Sequence, residues 1–524
     1  MNTHEQYITT FVQGAGFALG KDLNISLQEK FSISSDNARK VIQRAVINGI
    51  IDSDSRVTFG NGQFVYLPKG KFLNKEMILK ITKIHRPTLY RIISLMDLND
   101  GIISFHEAFK VAGAALDAEK TKTDTLGKLI AELELLRMVE IITDARGVKY
   151  LLRPSAVERA DAYTAQHYAR MKTDAMFIPD ILRSLRGFNI IDNNSMQYRN
   201  KATPSEGVRH NNFVWDSIAY TKTTGINPRK SSTTNISDKQ TLVAMDIVIN
   251  RTYTDHDLQG FYSRVQSVLN SVKTGIRKVL PIVVYAKIDT QEVYNTTRKL
   301  GFLTLDLGEI YGSNIHQVIE NLNALRIDES SLSNDSNDIS KIIKTLSTVK
   351  DSGQEDNLKN IKGDLFEFLM YPLIKNIFPD STIEHSKILK DPKNNKEHYE
   401  YDFIIHNSNL NEYTVIELKG YNSTAKFQLG SSEEKSTVKW FYGKTFPFAK
   451  KILSTQYNNP KVTGCFITSA GFQDEAVVFM DGLNKGKIKP ANIDTWYDGK
   501  KLMELLDSKG LKKIKSTIVK YYVK

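Results

Sequence analysis

Apolar and polar positions recur along this chain with two periods, and the period changes from region to region. In "DNARKVIQRAVINGII" the apolar residues Ala38, Val41, Ile42, Ala45 and Val46 return at helical spacing, while Arg39, Lys40, Gln43 and Arg44 fall on the other side. A shorter helix, "SLQEKF", precedes it across the turn "SISS", whose serines are N-cap candidates. Downstream, "RVTFGNGQFVYL" alternates on both sides of Gly60-Asn61-Gly62, which signals a hairpin. This order predicts a winged helix-turn-helix over residues 1–71. Its longer helix would present Arg39, Lys40, Gln43 and Arg44 to a DNA groove. A small helical domain with a solvated basic face would show the same pattern.

Residues 72–153 repeat the plan loosely. "TLYRIISLM" and "SFHEAFKVAG" read as helices, "TDTLGKLIAELELLRMVEII" as a long helix, and "EIITDARGVKYLLR" as a closing hairpin. Here the long helix carries Glu132 and Glu134, with only Lys128 and Arg137 as bases, so the second copy reads as structural or as a protein-contact module. Residues 154–207 read as a helical linker. Over 208–325 the period turns to strands in "NNFVWDSIAY", "QTLVAMDIVINR", "VLPIVVYAKI" and "GFLTLDLGEI", with helical runs between the later ones, which predicts an α/β domain. The Ser-, Asn- and Asp-rich stretch 326–358 reads as a linker with room for one helix. A last α/β domain spans 359–524. The fold class expected is therefore multidomain α+β and α/β.

Composition adds a partner class. The chain has 524 residues, of which 41% are apolar, enough for several packed cores. Its 71 Lys and Arg against 59 Asp and Glu leave a formal charge of +12, which favours a polyanionic partner. The single cysteine, Cys465, excludes an intrachain disulfide and a cysteine-based zinc site, and points to a reducing, cytoplasmic setting. It sits in the apolar "GCFIT", as a core thiol would. The N-terminus has no apolar core like that of a signal peptide, and no run of about 18 apolar residues predicts a membrane span. No P-loop, Rossmann glycine fingerprint or H-E-x-x-H is present.

The chemistry concentrates in "YDFIIHNSNLNEYTVIELKG", residues 401–420. "YDFIIH" and "EYTVIELKG" read as strands around a polar turn. If His406 pairs with Tyr413, Asp402 falls opposite Glu417, with Cβ atoms about 5 Å apart. Lys419 then shares the face of Glu417. Two facing carboxylates take up a proton or hold a cation between them. Oxygen ligands suit Mg²⁺, and a neighbouring ammonium can orient water or neutralise a phosphate oxygen. An Asp–Lys–Glu salt-bridge cluster would use the same residues structurally.

Asp402, a fourteen-residue gap and Glu417-Leu418-Lys419 resemble the PD-(D/E)xK signature of restriction-endonuclease-like nucleases. A helix, "GDLFEFLMYPLI", precedes the motif, with Pro372 within it. "VKWFYGKTFPFAK", "TGCFITSAGFQDEAVVFMDGL" and "IDTWYDGKKLMELL" follow it. That order is similar to the Mrr-type catalytic domain and covers residues 360–507. The resemblance implies a Mg²⁺-dependent DNA endonuclease, with Mn²⁺ as substitute. Asp402 and Glu417 would be metal ligands, Lys419 the catalytic lysine and Glu367 a supporting acid. Family members often carry Gln at the start of the next helix; Lys439 stands there in this chain. The resemblance further implies double-stranded DNA as partner, a homodimer for double-strand cutting, and host defence by restriction.

In the middle domain, Asp216 and Asp246 echo this layout, but the position of the lysine is Val248. That predicts either an inactive nuclease-like copy, serving in binding or assembly, or an unrelated α/β domain. For the whole chain, the alternatives are a non-catalytic DNA-binding regulator or assembly factor, and a nuclease acting on RNA or on branched or transposon-end DNA.

Overall fold

The computed structural model describes residues 2–60, 62–120, 123–192, 196–221, 241–270, 279–325, 336–456 and 460–523. Asn61 of the expected hairpin, and residues 326–335 of the expected linker, lie outside them.

The first module holds α1 (Thr3–Ala15), β1 (Ala18–Leu19), α2 (Gly20–Phe31), α3 (Ser35–Ile47), β2 (Ile51–Asp54) and β3 (Val65–Pro68). The strands form an antiparallel sheet in the order β1-β3-β2. Ala38, Ile42 and Ala45 bury one face of α3 against Ile8, Val12, Leu23 and Leu27. Ser34 caps α3 by accepting from the Asn37 amide. The hairpin differs from the sequence expectation, because its first strand is residues 51–54 rather than 56–59. Val57 and Phe59 leave the sheet and bury in the core of the second module, so packing overrides their alternation.

The second module comprises α4 (Lys75–His85), α5 (Pro87–Leu98), β4 (Ile102–Ser104), α6 (Phe105–Ala112), α7 (Leu126–Leu135), β5 (Glu140–Thr143) and β6 (Lys149–Leu152), with strand order β4-β6-β5. α7 stops short of the expected long helix. Arg137 turns left-handed at φ 58°, and the β-branched residues beyond it pair as β5.

The remaining chain builds two halves with one sheet plan. The middle half contains α8 (Ala160–Gly187), β7 (Gln197–Tyr198), β8 (Val208–His210), β9 (Phe213–Trp215), β10 (Ser217–Thr221) and β11 (Thr241–Tyr253). It continues with α9 (Asp255–Asn270), β12 (Val279–Ile288), α10 (Gln291–Lys299), β13 (Leu303–Asp306), α11 (Leu307–Tyr311) and α12 (Ile315–Ala324). After α13 (Ser336–Asp351), the C-terminal half opens with α14 (Lys359–Ile377), β14 (Thr382–Asp391), β15 (Asn394–Asn407), β16 (Glu412–Lys419) and β17 (Lys426–Phe427). Then come α15 (Val438–Trp440), a π-turn, α16 (Phe446–Gln456), β18 (Lys461–Thr468), β19 (Gly471–Phe472), α17 (Asp474–Asn484), β20 (Trp496–Tyr497), α18 (Gly499–Ser508) and α19 (Lys512–Tyr521).

One sheet runs β7-β10-β11-β12-β13 and the other β14-β15-β16-β18-β20. In both, the first two pairings are antiparallel and the last two parallel. The leading helices match as well: Pro179 stands five residues after Asp174 in α8, and Pro372 five after Glu367 in α14. The two helices pack on each other, and their apolar residues share one continuous core with both sheets. Asp180 of α8 caps α14 by accepting from the Asn360 and Ile361 amides at 3.1 and 3.0 Å. Residues 154–207 are thus no linker, since α8 is a core helix. α13 also packs into this core, through Ile342, Leu346 and Val349. Cys465 is fully buried there, as expected. No helix among the described residues is long and apolar enough to cross a membrane.

Candidate active site

The strands β15 and β16 pair in the register supposed from the sequence, with His406 opposite Tyr413 and Phe403 opposite Ile416. One step on, the ladder ends because a side chain takes it over: Asp402 Oδ2 accepts from the Leu418 amide at 2.6 Å. This bond fixes the carboxylate beside Glu417 and Lys419. The Lys419 ammonium stands 2.6 Å from Glu417, 3.8 Å from Asp402 and 3.0 Å from the Leu418 carbonyl. Three oxygens therefore converge on one cation-sized position.

Glu367 approaches from α14. It accepts from His385 Nε2 on β14 at 3.0 Å and from the Lys201 ammonium at 2.9 Å. Lys201 also donates to Asp364 at 2.5 Å, one turn earlier on the same helix. Glu400 takes a hydrogen bond from Asn200 at 3.2 Å through one oxygen, and its other oxygen is buried without a partner. Lys201, Asp364, Glu367, Glu400 and Lys419 line a cavity of about 770 Å³.

Acid is in excess here. Asp364, Glu367, Glu400, Asp402 and Glu417 cluster around two contacting ammonium groups, Lys201 and Lys419. Burial lifts Asp402 well above the usual carboxylate range, with Glu367 and Glu417 adding to it against the pull of Lys419. Burial likewise pushes Asp364 up to about 7, against Lys201. For Glu367 burial is outweighed, and Lys201 and His385 bring its carboxyl down to about 2. Burial lowers His385 to about 4, so the imidazole is neutral and donates to Glu367. Lys419 is held above the ordinary lysine range because Glu417 and Asp402 overcome its burial.

A carboxylate surplus, an unpartnered buried oxygen and three oxygens around one ammonium are a donor set that fits a hard divalent cation. Among the described residues, no group of three or more His, Cys, Asp or Glu side chains is arranged to hold a metal ion. A cation would therefore rest on Asp402, Glu417 and the Leu418 carbonyl in place of the Lys419 ammonium, with water or phosphate oxygens completing its shell. Lys439 is exposed on α15 and has no described contact with this cluster. Arg39, Lys40, Gln43 and Arg44 are all exposed on the outer face of α3.

The middle half repeats the site and closes it. Asp216 Oδ2 accepts from the Ile247 amide at 2.7 Å, as Asp402 does from Leu418. The lysine missing at Val248 is supplied from elsewhere: Lys110 of α6 donates to Asp216 and reaches Asp246 at 3.2 Å. His106 and Arg199 each contact Asp216 at 3.0 Å, and Arg264 contacts Asp246 at 2.8 Å. Burial alone would raise Asp216, but Lys110 and Arg199 hold it well below the usual range. Both aspartates are wholly buried. A Cβ on Gly260 of α9 would lie 2.4 Å from the Lys110 carbonyl, so α6 packs there with no room to spare.

Sequence reasoning missed Lys201, Asp364, Glu400, His385, Lys110, His106, Arg199 and Arg264. Asp364 was visible as an acid three residues before Glu367. Lys110 and Lys201 carry no local signal, since their partners lie more than 100 residues away.

No protein-family model matches the chain, and no curated protein matches it. Among solved structures, Can2 from Sulfobacillus thermosulfidooxidans, in complex with cyclic tetra-adenylate, is similar at 14% identity and a TM-score of 0.16. The likeness covers 58% of this chain and 79% of that one, and is too slight to establish a shared fold. The class defined by the architecture is a mixed α/β protein with a repeated five-stranded sheet.

Proposed function

We propose that the protein is a metal-dependent nuclease that hydrolyses phosphodiester bonds of double-stranded DNA in its C-terminal half. The observation that carries this reading is the convergence of Glu417, Asp402 and the Leu418 carbonyl on the Lys419 ammonium, at the wall of an open cavity. A bound divalent cation would neutralise charge that builds on the attacked phosphate. Asp402, fixed by the Leu418 amide, and Glu417 would hold it. Lys419 would orient the attacking water or donate to a phosphate oxygen. Glu367, tied to His385, would position the rest of the cluster.

In the same reading the middle half is a closed copy of the nuclease fold, with its acids neutralised by the chain's own cations. The first module is a winged helix that lays the exposed basic face of α3 against the duplex. One open site per chain cuts one strand, so cutting both strands calls for a second copy.

The test incubates purified protein with plasmid, methylated plasmid and RNA, each with and without Mg²⁺. Plasmid cutting that needs Mg²⁺ is expected. Lys419→Ala should lower the cutting rate on the order of a thousandfold while sparing DNA binding. An unchanged rate in that variant refutes the site.

A further inference from the structure

Lys201 belongs to the middle half, yet its ammonium sits inside the C-terminal site. It lies 2.5 Å from Asp364 and 2.9 Å from both oxygens of Glu367. Its place is set by the residues before it. Asn200 donates to Glu400 at 3.2 Å and accepts from the Ala202 amide at 2.8 Å. Arg199 is anchored in the closed middle site, on Asp216 at 3.0 Å and on the carbonyls of Met171 and Pro204 at 3.2 and 3.0 Å. Three consecutive residues thus tie the closed site to the open one.

The geometry also separates two cation positions. Lys419 marks one, between Glu417, Asp402 and the Leu418 carbonyl. Lys201 marks the other, between Asp364 and Glu367. The first touches a lysine of the same strand. The second is filled by an ammonium that only the middle half can deliver.

We propose that Lys201 is a positioning residue which takes the place of a second divalent cation. The C-terminal site then holds one metal ion, and it is complete only with the middle half in place. The inference rests on the metal-dependent reading of the site. With a fixed ammonium between them, Asp364 and Glu367 keep their spacing and Glu367 keeps its bond to His385. Without it, Asp364 and Glu367 are two buried carboxylates with no cation between them, and they take up a metal ion with water filling the rest of its shell.

The experiment counts Mn²⁺ bound to the full chain by electron paramagnetic resonance, with plasmid cutting measured in parallel. Wild type should bind one Mn²⁺ per chain, and Lys201→Met should bind one more. Lys201→Arg, which keeps the charge, should bind as wild type does. Lys201→Gln is the second neutral variant should the methionine variant fail to fold, and it too should gain one ion. Cutting should fall roughly ten- to hundredfold in the neutral variants and recover in Lys201→Arg. An unchanged Mn²⁺ count in the neutral variants overturns the proposal, whatever happens to cutting. A wild type that neither binds Mn²⁺ nor cuts overturns the nuclease reading. A gain of one ion in Lys201→Met would still uphold the place assigned to this lysine.

Discussion

Replacing Lys110 with methionine tests whether the middle site is a structural lock. The side chain is 4% exposed, and methionine nearly matches its volume. The change therefore removes charge more than packing. Three contacts are lost, to Asp216, to Asp246 at 3.2 Å and to the Ile247 carbonyl at 3.1 Å. Asp216 keeps Arg199, His106 and the Ile247 amide, and Asp246 keeps Arg264. With Lys110 gone, Asp246 is left with Arg264 and the neighbouring Tyr253 hydroxyl, so its charge becomes harder to bury. Removing one partner of a buried charge group costs about 3–5 kcal/mol, and the retained partners place this variant at about 3 kcal/mol. The readout is urea denaturation followed by tryptophan fluorescence. Trp215 is buried with the Arg264 guanidinium 4.9 Å from its ring, so it reports on this site. Replacing Trp440 and Trp496 by Phe isolates its signal. A loss below about 1 kcal/mol would refute the lock. Abolished cutting with unchanged stability would instead make Lys110 a catalytic lysine supplied by α6.

Arg39→Ala combined with Arg44→Ala should weaken DNA binding and reduce the salt slope of the affinity by about 2, one for each phosphate contact removed; an unchanged slope in a fluorescence-anisotropy titration removes α3 from the contact surface. His106 is lowered to about 4 by burial, against an ordinary 6.5. Between those values the unfolded chain binds a proton that the folded chain refuses, so stability falls with acid, by on the order of 2 kcal/mol at pH 5 relative to pH 7. His106→Gln should remove that part of the pH slope of urea stability, and an unaltered slope would show that the imidazole is charged in the folded protein.

The sequence made the open site legible because its evidence is local. Two alternating strands around a polar turn fix a register, and a register fixes which side chains are neighbours. Pairing His406 with Tyr413 made Asp402, Glu417 and Lys419 neighbours, and the nuclease resemblance supplied their roles. The repeated half was legible as an acid, a gap and a second acid, with Val248 where a lysine was wanted. The repair was not, because Lys110 comes from a helix more than 100 residues upstream, and only docking of α6 on α9 brings it in. α8 looked like a connector because helical periodicity does not say what a face packs against. The short first strand of the hairpin was misplaced for a related reason: Val57 and Phe59 alternate like strand residues but fill a neighbouring core.

The shared core between α8 and α14 has a practical consequence for anyone who would graft the C-terminal half onto another protein. A fragment cut at residue 359 would bare the apolar side of α14 to water, lose the Asp180 cap and leave behind the amine that Asp364 and Glu367 enclose. The smallest transplantable piece therefore begins no later than α6, whose Lys110 and His106 contact the buried Asp216, and the inert half travels with it as scaffold.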